Sequence, residues 1–239
     1  MSSLPTETIS VETVDGPMSA FLSVPTGEPV GGVVVIQEAF GLTGHIGRVT
    51  EALAEAGYVA IAPALFHRCE PQVFGYGDFE KLGPVIMTLT AETITMDVDA
   101  ALGELTTRGI ASSQQGIIGF CMGGGVTLAT AARLALGAAV TFYGGGLADG
   151  RFGLDPGIES AARLQTPWLG LYGDLDTHIP IEEVERARVA AATTQVDTQV
   201  VRYADADHGF NCDERPSFHQ ESSTDAWDRT LTFLAEHLG

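Results

Sequence analysis

The sequence predicts an α/β fold: a mostly parallel central sheet with helices on both faces and an antiparallel hairpin at the N-terminal end. Three observations carry this. Residues 33–36 are a continuously apolar, β-branched run, as a strand covered on both faces requires, and 116–120, 138–143 and 168–172 read as further strands. Between them lie segments whose apolar residues recur at helical spacing, such as Ile46, Val49, Leu53 and Ala56. Strands alternating with helices in this way give parallel sheets. The 239 residues, 45% of them hydrophobic, are enough to fill the core of one domain spanning 1–239.

Taken in order, residues 9–14 and 18–24 read as extended segments flanking Asp15-Gly16, a dipeptide that supplies positive φ cheaply, and so as a hairpin. The strand at 33–36 follows the turn at 25–32. The helix through Ile46 ends at Gly57, and 58–62 is again a buried strand. A helix over 92–105, a strand at 116–120, a helix after Met122 and a strand at 138–143 continue the scheme. The last third repeats it with strands at 168–172 and 198–203 and helices at 182–192 and 225–238. One connection is too long for this pattern. Residues 66–91 hold Phe66, Phe74, Tyr76, Phe79, Pro71 and Pro84, and read either as a functional lid or as an irregular excursion packing its aromatic rings on the body.

Composition excludes several function classes. With 31 acidic against 12 basic side chains and a formal charge of −19, the surface would repel a phosphate backbone, so no nucleic-acid partner is expected. Lys81 is the single lysine, which leaves no polybasic membrane patch. Residues 1–13 lack the basic start and apolar stretch of a signal peptide, and no run approaches the ~18 apolar residues of a membrane helix. The expectation is a cytoplasmic protein with no membrane association. Three scattered cysteines, Cys69, Cys121 and Cys212, make no disulfide framework and match neither Cys-x-x-Cys nor zinc spacings, so no metal is expected.

The most informative stretch is Gly119-Phe120-Cys121-Met122-Gly123-Gly124, placed between a strand and a helix. It fits the G-x-S-x-G nucleophile elbow with cysteine in place of serine. Small residues on either side give a strained turn its clearance. The helix start that follows favours negative charge on Cys121, and the Met122 N–H can donate to an oxyanion. Such a thiol needs a base, and the base an orienting carboxylate, in the chain order nucleophile, acid, histidine. Of six histidines, His208 follows the last strand, where side chains reach the carboxyl edge of the sheet. For the acid, Asp174 and Asp176 both follow the strand at 168–172, and spacing alone leaves both open.

Together with Gln37-Glu38-Ala39-Phe40-Gly41-Leu42, Asp176 four residues before Pro180, and Asp207-His208-Gly209-Phe210, the elbow resembles the dienelactone hydrolase family of the α/β-hydrolase superfamily. The likeness runs from Met18 to Leu238. It implies an α/β-hydrolase fold with Cys121 as nucleophile, His208 as base and Asp176 as orienting acid. It further implies that Glu38 helps to take the thiol proton when substrate arrives, and that the Ala39 N–H is the second oxyanion donor.

The likeness thins at the substrate end. Four residues after the histidine, where the family carries an arginine for the substrate carboxylate, this chain has Cys212, and Arg215 and Arg68 are the candidates to replace it. The expected activity is hydrolysis of lactones or small esters through a thioacyl intermediate, with no cofactor and a small-molecule substrate as the partner. A carboxylesterase or thioesterase acting on neutral esters is the alternative, and a non-catalytic ligand-binding protein on the same scaffold is the reading from another class.

Overall fold

A computed structural model describes residues 6–239. The part of the N-terminal reading that concerns 1–5 lies outside the described residues. The hairpin forms from β1 (Glu7–Thr13) and β2 (Gly16–Ser23). Its turn differs by one residue from expectation: Thr13 pairs with Gly16, so Val14 and Asp15 make the loop. Gly16, at φ +112, opens the second strand instead of closing the turn. No side chain tolerates that angle easily, which is why the glycine follows the loop.

The remaining strands are β3 (Gly31–Ile36), β4 (Tyr58–Pro63), β5 (Gln115–Phe120), β6 (Ala138–Phe142), β7 (Trp168–Gly173) and β8 (Thr198–Tyr203). The eight-stranded sheet has the order β1-β2-β4-β3-β5-β6-β7-β8. β2 meets β4 antiparallel, and every pair from β4 to β8 is parallel. The strands β3 to β7 are buried along their whole length, in keeping with their largely apolar sequences, in which Gln115 and Thr141 are buried polar residues.

Helices α1 (Gly44–Glu55), α2 (Phe79–Ile86), α3 (Ala91–Thr107), α4 (Met122–Arg133), α5 (Gly157–Ala161), α6 (Ile181–Ala191) and α7 (Gln220–Leu238) surround the sheet. Two adjacent glycines of β3 show that both faces are covered. A Cβ on Gly31 would meet Leu238 of α7 at 3.4 Å, and one on Gly32 would meet Leu105 of α3 at 2.9 Å. Successive strand residues point to opposite faces, so α7 and α3 lie on opposite sides. Among the described residues no helix is long and apolar enough to cross a membrane.

Three helical features depart from the sequence reading. The stretch 66–91 contains α2, which Gly83 and Pro84 concealed, since both weaken a helix and the proline removes one donor. The five-residue α5 is too short to show a period. Helix α7 begins at Gln220 instead of 225, with His219 as its N-cap accepting from the Ser222 N–H, a residue type sequence rules do not associate with caps. The aromatics of 66–91 pack on the body: Phe66 and Phe74 are buried, and Tyr76 and Phe79 set their edges against Phe40 at 4.7 and 5.9 Å between centroids. The Phe74 N–H donates to the Phe40 carbonyl at 2.9 Å, which ties this excursion to the loop after β3.

Candidate active site

Because β3 and β5 to β8 are parallel, their carboxyl ends share one edge of the sheet, and the chain leaving each end supplies one member of the site. Glu38 and Ala39 follow β3, Cys121 follows β5, Tyr143 follows β6, Asp176 follows β7, and His208 follows β8. Residues remote in sequence therefore meet over a cavity of about 240 Å³, lined by Cys121, His208, Ala39, Met122 and Arg215 among others.

Cys121 is held at φ +56 and ψ −117, as the residue preceding the first turn of α4. A non-glycine residue at positive φ stores about 1–3 kcal/mol of strain and persists only where its surroundings fix it. Here they do. The Cys121 N–H donates to the Phe142 carbonyl at 3.1 Å, and its own carbonyl accepts from Gly124 N–H at 3.0 Å. A Cβ on Gly119 would collide with the Gly123 carbonyl, and one on Gly123 would come within 2.5 Å of the Ile36 carbonyl oxygen. The two glycines of the motif are thus needed for helix α4 to start this close to β5 and β3.

Ala39 and Met122 line the same cavity as Cys121, and their N–H groups donate to no protein acceptor among the described residues. For Met122 this is the ordinary fate of a first-turn amide; for Ala39 it follows from the loop after β3.

His208 Nδ1 donates to Asp176 Oδ2 at 2.6 Å, and the ring shares its cavity with the Cys121 sulfur. Burial alone would push the imidazole down, but the carboxylate and the sulfur outweigh it and hold His208 above its ordinary value. The other Asp176 oxygen accepts from the His178 N–H at 2.8 Å, which fixes the carboxylate toward the ring. Asp174, which spacing could not separate from Asp176, is taken by Arg202 through contacts of 2.7 and 2.8 Å.

Glu38 is fully buried. Its Oε1 accepts from Arg215 Nη1 at 3.2 Å, and its Oε2 has no partner. Desolvation raises its carboxyl above the usual range, opposed by the charges of Arg215 and His208. Arg215 lies 5.8 Å from the Phe40 ring centroid and 5.9 Å from that of Tyr76, so two rings and a carboxylate fix its guanidinium. Cys212, at the offset where the family has arginine, is buried and donates its thiol to the Tyr76 hydroxyl at 3.1 Å. Burial pushes that thiol up to about 11.

The structure does not bring Arg68 to the site. Its guanidinium is bidentate to Asp97 at 2.8 and 2.9 Å and bonded to Asp15 at 2.8 Å, and it does not line the cavity. Two residues that the sequence reading passed over are present instead. Tyr143, buried at φ +39, sets its ring against His208 at 5.2 Å and leaves its hydroxyl unpaired. It ends a strand at the same edge as the others, which was the available signal. Arg151 lines the cavity from the loop after β6. Among the described residues one group, His45, Cys212 and Asp213, brings three potential metal-ligating atoms within 4.8 Å of one another. Arg48 already neutralises Asp213 at 2.5 Å, and burial keeps the Cys212 thiol protonated, so the set lacks the anionic donors a divalent cation needs.

Comparison with known proteins gives the family. Residues 18–238 match the dienelactone hydrolase family. Proteins provisionally named carboxymethylenebutenolidase in Yersinia pestis and in Synechocystis are each 35% identical, over 86% of this chain and 78% and 86% of theirs. A crystal structure from Klebsiella pneumoniae, provisionally described as a dienelactone hydrolase, is 32% identical and superposes with a TM-score of 0.89 over 98% of this chain and all of that one. The family match covers nearly the whole chain and includes every strand end that builds the cavity, so this protein belongs to the dienelactone hydrolase family and is a hydrolase of that type.

Proposed function

We propose that this chain hydrolyses lactones or small activated esters through a thioacyl intermediate on Cys121. The observation that carries the proposal is the placement of one thiol. Cys121 stands at a strained elbow and shares its cavity with His208, which Asp176 holds, and with Ala39 and Met122, whose N–H groups are unspent. Each part then has a defined task. The Cys121 sulfur, its proton taken by Glu38 while the His208 ring holds its own, attacks the ester carbonyl carbon, and the C=O electron pair moves to oxygen. The N–H groups of Ala39 and Met122 receive that oxyanion, each contributing about 10²–10³ in rate. As the tetrahedral species collapses, His208 gives a proton to the departing alkoxide, which in a lactone remains on the opened ring. His208 then takes a proton from water as the water attacks the thioester, and the carboxylic acid leaves as Cys121 is released. Asp176 holds the imidazole in the productive tautomer throughout.

Glu38 fits the role the family resemblance gives it. A buried carboxyl that burial has made more basic, with one oxygen unpaired, is suited to accept the thiol proton once Arg215 turns to another anion. The test is turnover of a chromogenic aryl ester and of an unsaturated lactone by the wild type and by Cys121→Ala. The variant should lose turnover of both while keeping the wild-type melting temperature within a few degrees. A variant that hydrolyses at the wild-type rate contradicts the proposal, and a wild type that turns over neither compound would favour a binding protein on this scaffold.

A further inference from the structure

Glutamine is mostly a surface residue, yet Gln37, directly after the buried strand β3, is fully buried. A buried amide is costly unless its donor and its acceptor are both used. Here both are. Gln37 Oε1 accepts from the Leu65 N–H at 3.1 Å, and Nε2 donates to the Glu38 carbonyl at 3.3 Å. The Leu65 bond decides which way round the amide lies, since a flipped group would set its NH2 against an N–H. No step of the proposed hydrolysis uses either bond.

We propose that Gln37 is a positioning residue of the oxyanion site: by holding the Glu38 carbonyl, it aims the N–H of the same peptide unit, that of Ala39, at the oxygen that becomes charged. The inference rests on the hydrolase reading above and adds to it the residue that sets one of the two donors.

The Glu38 carbonyl and the Ala39 N–H share one plane. Among the described residues the one cis peptide bond is Glu70–Pro71, so this unit is trans and its two groups point in opposite directions. Whatever fixes the carbonyl therefore fixes the N–H. The carbonyl also accepts from the Gly41 N–H, but at 3.4 Å that bond is long and constrains the plane weakly. Gln37 adds a second hold, anchored through Leu65 to the chain leaving β4. Ala39 lines the cavity with Cys121 and its N–H has no protein acceptor, so the tilt of this peptide alone determines where the N–H points.

The backbone on either side is already fixed. A Cβ on Gly123 would come within 2.5 Å of the Ile36 carbonyl oxygen and 2.6 Å of the Gln37 carbonyl oxygen, so the first turn of α4, which carries the Met122 N–H, packs directly on the end of β3. That contact sets the spacing of the two donors and leaves the tilt of the Ala39 peptide to Gln37. The clamp has a second use. The Glu38 carboxylate must turn from Arg215 toward the thiol, and a side chain that swings pulls on its own peptide. With the carbonyl tied to Gln37, the carboxylate can move while the Ala39 N–H stays aimed.

The experiment follows two reactions of Cys121 in the wild type, Gln37→Met and Gln37→Glu: turnover of an aryl acetate, and alkylation by iodoacetamide with the label located by peptide mass spectrometry. Acylation and deacylation both build an oxyanion, whereas alkylation is a displacement at saturated carbon and builds none. Methionine keeps nearly the volume of glutamine and neither hydrogen bond. Gln37→Met should lower kcat about 10²-fold with KM within about threefold, and leave the alkylation rate of Cys121 within about twofold. Glutamate keeps the acceptor for Leu65, but in mildly alkaline buffer an ionised carboxylate donates nothing to the Glu38 carbonyl, so Gln37→Glu should show the same split. Following both reactions on one sample cancels any loss of folded protein. Wild-type kcat in Gln37→Met, wild-type kcat in Gln37→Glu, or a fall in alkylation equal to the fall in turnover overturns the inference and leaves the hydrolase reading standing. A wild type that is alkylated at Cys121 but turns over no ester overturns that reading and this inference with it.

Discussion

The molecule contains two buried aspartates that each meet a histidine, and they do different things. Asp176 accepts from His208 at 2.6 Å, and its second oxygen accepts only a backbone N–H. Asp97, equally buried, meets His67 Nε2 at 3.2 Å, but both its oxygens also receive the Arg68 guanidinium. At Asp97 a permanent cation already satisfies the carboxylate, and the cluster pins the start of the 66–91 excursion to helix α3. At Asp176 no guanidinium is present, so the imidazole is the group that can take up positive charge, and its far side faces a sulfur and a cavity. A histidine–aspartate contact is therefore no sign of chemistry. What stands beyond the imidazole, and whether another cation has reached the carboxylate first, decides its use.

Breaking each pair separates the two roles. His208→Gln should reduce kcat/KM on an aryl ester by about 10³-fold with little change in melting temperature, because the proposed general base is lost from a partly open cavity. Asp97→Ala should show the reverse. It strips a buried carboxylate from a partly buried guanidinium and should destabilise the fold by about 3 kcal/mol, read as a lower denaturant midpoint at unchanged slope, with turnover per folded molecule preserved. A stability loss in the first variant equal to that in the second would erase the distinction.

The smallest effect concerns pH. His208 has a folded-state value raised above its ordinary 6.5, so it binds its proton more tightly in the folded than in the unfolded chain. The stabilisation it adds is complete below 6.5 and is lost as pH climbs through the raised folded value. The melting temperature of the wild type relative to His208→Gln should accordingly be highest in mild acid and fall on the alkaline side. A margin that grows with pH would mean that the ring is held neutral.

Much of this was legible in the sequence because it follows from local requirements. A strand covered on both faces must be apolar throughout, and a strained elbow must carry small neighbours, so β3, β5, β7 and the Gly119–Gly123 turn announce themselves. The hairpin turn slipped by one residue because Asp15-Gly16 offers positive φ at either of two registers, and pairing with β4 fixes which is used. Residues that depend on distant partners were not legible. Asp174 and Asp176 look alike until Arg202, on the next strand, takes the first of them. Arg68 and Arg215 look alike until Asp97 and Glu38 claim one each. Arg151, in the cavity wall, was not legible because nothing local marks the loop after β6 as part of the site.

The central claim is that the acyl group passes through Cys121. The direct measurement is to quench the wild-type enzyme during turnover of an activated aryl ester and locate the covalent adduct by peptide mass spectrometry. The account predicts an acyl group on the peptide containing Cys121, absent after alkylation of that thiol and persisting longer in His208→Gln. Rapid turnover with the acyl group on another residue, or unimpaired turnover by enzyme alkylated at Cys121, would contradict it.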